Sequence, residues 1–174
     1  MRRTAPALGS RSRPRGFTLV ELLIVIALIG ILAALTAPFL MAAKAAGNEA
    51  SAIGSLRAIN SAQAGFATTC GAGFFSVSVV TLGTTGHLSM DLIVPVKSGY
   101  TVLLGPGDGA GAGPADCSGG VPQSAYYASA APNSVNSGRR AFATNAAGTV
   151  WQELTTRVPP PEPFTIGPSI TPIQ

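Results

Sequence analysis

Residues 17 to 41 read FTLVELLIVIALIGILAALTAPFLM, 25 positions with one charge, Glu21, and two hydroxyls, Thr18 and Thr36. As a helix this run is about 38 Å long, enough to cross a hydrocarbon layer of about 30 Å. Five arginines (Arg2, Arg3, Arg11, Arg13, Arg15) and no acid lie in the first sixteen positions, and Lys44 follows the run. That asymmetry places the N-terminus on the cytoplasmic side of a single span.

A carboxylate inside a span costs about 2.5 kcal/mol or more near its centre and calls for a partner. No Lys, Arg or His lies within one helical turn after Glu21. Two ordinary alternatives compete for the run. A cleaved secretory signal would have an apolar stretch of about 7 to 15 residues; here the stretch is longer, and the small-x-small triplet Ala43-Lys44-Ala45 comes late. A plain membrane anchor carrying an unrelated head accounts for the length but leaves Glu21 without a purpose.

The hexapeptide Gly16-Phe17-Thr18-Leu19-Val20-Glu21, with a basic arm before it and the apolar run after it, resembles the processing site of type IV pilins and of the related type II secretion pseudopilins. The resemblance covers about 35 residues closely and implies the following. A prepilin peptidase cuts between Gly16 and Phe17, and Phe17 becomes N-methylated. The subunit then polymerises with identical or related pilin subunits at an inner-membrane assembly platform. Glu21 neutralises the new amine of a neighbouring subunit and so sets the stagger between them. The chain starts in the bacterial inner membrane and ends in an extracellular or periplasmic filament. It is a substrate of the peptidase, not an enzyme, and needs no cofactor or metal. Gly30 and Pro38 also fall at positions that recur in pilin N-terminal helices. Gly costs about 1 kcal/mol and Pro about 3 kcal/mol in a helix interior, so the stretch between them is where the helix is weakest and can loosen. Three roles stay open: a pilus subunit, a secretion pseudopilin, and a minor tip subunit acting as a binding module.

Past Met41 the pattern turns amphipathic. Ile53, Leu56, Ile59 and Phe66 recur on one stripe, with Glu49, Ser55, Arg57 and Gln63 read as lying off it. One helix is expected from about Phe17 to Ala67, its part from 42 to 67 lying against a head. The head, 68–158, carries short strands expected at Tyr100–Leu104, Tyr126–Ala130, Ala141–Thr144 and Thr149–Trp151, with a turn at Asn145–Gly148. The expected fold class is therefore α+β: a long helix packed on a small antiparallel sheet. Cys70 and Cys117 are the only cysteines, and both follow the span, where an oxidising compartment allows them to pair. From Pro159 the chain is proline-rich and reads as an extended tail.

The remaining signals are weak. The glycine-rich segment 105–120 lacks a phosphate-loop ending. Asp108 and Asp116 are candidates for calcium, though not at EF-hand spacing. His87 is the only histidine, and no metal-protease, CxxC or GxSxG pattern accompanies it. Tyr126 and Tyr127 read as packing residues. The whole chain has 11 Lys and Arg against 7 Asp and Glu, a net charge of +4. From position 17 onward the balance is 6 basic to 7 acidic, so no nucleic-acid partner is expected for the mature subunit.

Overall fold

A computed structural model describes residues 16–173; the five leader arginines, at positions 2 to 15, lie outside the described residues. The chain divides into two units, one ending at Phe39 and one running from Leu40 to the C-terminus. A single helix, α1, covers Leu19–Thr69, with Pro38 inside it. It is followed by a short helix, α2 (Val79–Thr84), a 3-10 turn at Met90–Leu92, and six strands. The strands are β1 (Val96–Lys97), β2 (Tyr100–Pro106), β3 (Tyr126–Pro132), β4 (Ala141–Asn145), β5 (Val150–Glu153) and β6 (Ile170–Pro172). They form one antiparallel sheet in the order β1-β2-β3-β4-β5-β6. The architecture is α+β and pilin-like.

Within the second unit, α1 packs on one face of the sheet. Leu56, Ile59 and Phe66 are fully buried against Tyr100, Val102, Ala128, Ala130, Phe142 and Val150. The stripe is wider in chemistry than its apolar residues suggest. Gln63, read from the sequence as lying off it, is 0 % exposed, and Glu49 and Ser55 are buried as well; Arg57 is exposed. Positions 49, 52, 56, 59, 63, 66 and 70 alternate steps of three and four, which keeps them on one helix face. Burial of the polar members is offset by hydrogen bonds. Gln63 donates through Nε2 to the Ser76 carbonyl at 2.6 Å and accepts from the Ser76 amide at 2.9 Å. Asn60 joins helix to sheet: its Nδ2 donates to Thr144 Oγ1 at 3.0 Å, and its Oδ1 accepts from the Tyr126 hydroxyl at 2.9 Å.

Glu49 ties the start of this helical segment to the β3–β4 loop. One carboxylate oxygen accepts from the amides of Arg139 (2.8 Å) and Arg140 (3.2 Å), and the other from Arg140 Nε (2.8 Å) and Nη2 (2.6 Å). Arg140 in turn donates through Nη1 to Gln152 Oε1 and lies over the Phe142 ring. Burial pushes the Glu49 carboxyl up, but the amide of Arg139 and the side chain and amide of Arg140 outweigh it and hold it below the usual carboxylate range. A depressed native pKa stabilises the fold above the unfolded value, and that contribution is lost as pH falls through the native one. Acid unfolding, followed by Trp151 fluorescence, is therefore expected to set in below about pH 4. Glu49→Gln is expected to cost about 2 kcal/mol at neutral pH and to flatten that acid limb. An unchanged acid profile in the variant would assign the limb to other carboxylates.

Cys70, at the end of α1, is disulfide-bonded to Cys117 in the glycine-rich segment. The segment from Pro159, expected as an extended tail, is extended and is also docked on the sheet. The Tyr127 hydroxyl donates to the Pro160 carbonyl at 2.7 Å, Phe164 stacks on Trp151 at 5.3 Å, and β6 pairs with β5. Prolines suit this strap, because only Ile170–Pro172 of it pairs with the sheet, and Pro172 at the end of β6 has no amide to donate. Strands β2 to β5 fall within a residue or two of the expected ranges. The two shortest strands, β1 and β6, carry too little alternation to be seen in sequence.

Candidate functional site

The N-terminal unit is the part of the chain with chemistry to explain. Gly16, Phe17 and Thr18 precede α1 and are exposed. Thr18 and Glu21 form a reciprocal cap. The Glu21 carboxylate accepts from the Thr18 amide at 3.0 Å and from its hydroxyl at 2.7 Å, while Thr18 Oγ1 accepts from the Glu21 amide at 3.2 Å. The Thr18 carbonyl takes the first bond of the helix, from Leu22 at 3.3 Å. This is a capping box, Thr-x-x-Glu, and it satisfies two amides that a helix start otherwise leaves without partners. It also places the carboxylate beside the backbone just after the Gly16–Phe17 bond, at the positive end of the helix dipole. The sequence carried this signal in Thr18-Leu19-Val20-Glu21.

Beyond the cap the helix surface is apolar on all sides. Large side chains from Leu19 to Met41 are all more than 40 % exposed, and none of the most apolar stretch is buried. A helix apolar all round needs lipid or other helices around it. Gly30 faces open space, so no packing within the chain explains it; a glycine there lets another backbone approach closely. Pro38 removes the amide that would bond the Ala34 carbonyl, and the nearby Thr36 hydroxyl bonds back to the Ala33 carbonyl at 3.1 Å.

Residues 11–37 match the family described as the prokaryotic N-terminal methylation motif. The chain carries the prepilin signature. The match includes the Gly16–Phe17 junction, Glu21 and the apolar helix, and it stops before Pro38 and the head. No curated protein and no solved structure matches the chain. The prepilin signature supports a processed subunit of the pilin or pseudopilin type, and with the exposed apolar helix it fits anchoring in a membrane.

The other sequence candidates are placed as follows. His87 is held by two hydroxyls, Thr69 Oγ1 at 2.7 Å and Thr85 Oγ1 at 2.9 Å, and stands edge-on to Phe66. Asp116 turns its carboxylate onto its own loop, accepting from the Ser118 amide and hydroxyl and the Gly120 amide. Asp108 lies with Glu162 at the far end of the sheet, lining a cleft with Asn145, Trp151 and Phe164. Among the described residues, no three His, Cys, Asp or Glu come together in a metal-binding group. The two tyrosines pack on opposite sheet faces, Tyr126 beside Phe75 and Tyr127 beside Phe164.

Proposed function

We propose that the chain is a structural subunit of a type IV pilus-like filament. A prepilin peptidase cleaves it between Gly16 and Phe17, Phe17 is N-methylated, and the subunit polymerises through α1. The observation that carries this is the coincidence of the methylation motif with an exposed apolar stretch of α1 whose single carboxylate, Glu21, is the fifth residue after the proposed cleavage point. Removal of the leader takes away all five of its arginines and leaves a cationic amine on Phe17. Opposite charges attract strongly at the margin of a low-dielectric layer. In the filament the amine of one subunit competes with Thr18 for the carboxylate of another, which fixes the axial offset between them.

Before assembly the subunit is a single-pass inner-membrane protein with a cytoplasmic N-terminus. Gly30 to Pro38 is the part of α1 proposed to loosen as the subunit leaves lipid for the filament. Intact mass and N-terminal sequencing of the mature protein are expected to show N-methylphenylalanine, at Phe17, as the first residue. A chain that keeps its leader, or one cut after Ala45, would overturn this function. Secretion through a pseudopilus is the neighbouring role, and it predicts loss of protein export when the chain is deleted.

A further inference from the structure

The second unit is electrically polar along its strands. At one end, beyond the start of β4 and the end of β5, Arg139 and Arg157 line a cleft with Val135, Gly138, Leu154 and Thr155. Both arginines are exposed, and neither guanidinium has an ion-pair or hydrogen-bond partner among the described residues. The nearby carboxylates are already engaged: Glu49 holds Arg140, and Glu153 accepts from Thr155 and Ser169. At the other end of the same two strands, Asp108 and Glu162 line a cleft beside Trp151 and Phe164. No basic side chain pairs with either acid among the described residues. Glu162 is held in place by Asn145 Nδ2 at 2.6 Å and the Asp108 amide at 2.8 Å, while the Asp108 carboxylate is free of such bonds among the described residues. About 17 Å of strand separates the two clefts.

Complementary patches on opposite ends of one chain cannot satisfy each other within that chain. Between copies they make a heterologous, head-to-tail contact, the class that closes into a ring or runs on as an open helical filament. The chemistry of the two ends fits as well as their sign. A guanidinium takes carboxylates through its donor fork and stacks on aromatic faces, and the acidic cleft offers both carboxylates and the Trp151–Phe164 pair. We propose that the Arg139–Arg157 end of one subunit docks on the Asp108–Glu162 cleft of a second copy. This contact is additional to α1 packing and selects head register in the assembled polymer. It rests on the filament function proposed above.

The test uses the full-length chain in cells that assemble it, with sheared filament protein as the readout. Arg157→Glu and Asp108→Arg are each expected to lower filament yield about tenfold, as loss of a close intersubunit charge pair does. The combined Arg157→Glu/Asp108→Arg chain is expected to recover it. Neither side chain makes a bond among the described residues, and Trp151 fluorescence of the membrane-bound subunit checks that folding is kept. A second measurement places cysteines at positions 108 and 157 of one chain, expected to give a ladder of covalent multimers in filaments. Wild-type yield from both single reversals overturns the proposal. So does a combined variant that stays low while folded and carrying a methylated Phe17, which would reassign the arginines to an anionic surface such as lipid. A wild-type chain that is not processed at Phe17 and makes no filaments removes the subunit function itself, and this contact with it.

Discussion

Glu21→Ala is expected to abolish filament assembly while leaving membrane insertion and leader cleavage intact. Under the proposed function, insertion depends on the apolar run, which the change makes more apolar, cleavage on the Gly16–Phe17 junction, and assembly on the carboxylate. Among the described residues Glu21 is occupied only by Thr18, through a cap open to its surroundings. A capping interaction of this kind is worth about 1 kcal/mol, so a charged amine from a neighbouring subunit can displace it. The measurement is paired: immunoblots for processed protein in the membrane, and electron microscopy of sheared material. Processed subunit with no filaments is the expected result, and abundant filaments from the variant would remove Glu21 from the assembly step. Thr18→Val separates the two partners of the carboxylate. It takes away the hydroxyl but keeps the amide, and filaments should persist.

Loss of the Cys70–Cys117 bond should have the largest effect on the head. The bond closes a loop with a sequence separation of 47 residues, and the chain-entropy relation assigns it about 4 kcal/mol. Whole domains are stable by only about 5 to 15 kcal/mol. Cys70→Ser/Cys117→Ser is therefore expected to lower the urea midpoint strongly in Trp151 fluorescence and to reduce the amount of subunit that accumulates. The cause is local as well as entropic. The Cys117 amide donates to the Cys70 carbonyl at 3.1 Å, and the adjoining glycine-rich segment bridges back through Gln123 to Phe75. Without the bond, the end of α1 and that segment lose their common anchor. A midpoint unchanged in the double variant would mean that the packing of Phe66 and Phe75 suffices there.

Much of the fold was legible because it rests on strong periodicity. The apolar run and the Leu56–Ile59–Phe66 stripe specify α1, and alternation specifies β2 to β5. What misled was polarity. Glu49 and Gln63 share the buried face by helix geometry, yet their side chains read as solvent-facing, since nothing nearby in sequence shows what would satisfy them. The partners of Glu49 lie about 90 positions away. Ser76, the partner of Gln63, is only 13 positions on, but it is reached through an irregular turn. The proline-rich strap reads as an extended tail for the same reason: Trp151 and Tyr127 give no sign in sequence that Phe164 and Pro160 will cover them.

The sequence by itself determined the features that depend on local order. These are an apolar run long enough to cross a membrane, a prepilin signature over residues 11–37, one carboxylate inside the run, and a helix long enough to continue into a head. Only the tertiary structure decided which polar side chains are buried and paired, how the C-terminal strap is held, and how the head is polarised. Antiparallel register sets the last of these, because it gathers Arg139 and Arg157 at one end of β4 and β5 and Asp108 and Glu162 at the other. Residues far apart in the chain acquire a common electrostatic role only when strand pairing brings them to one edge.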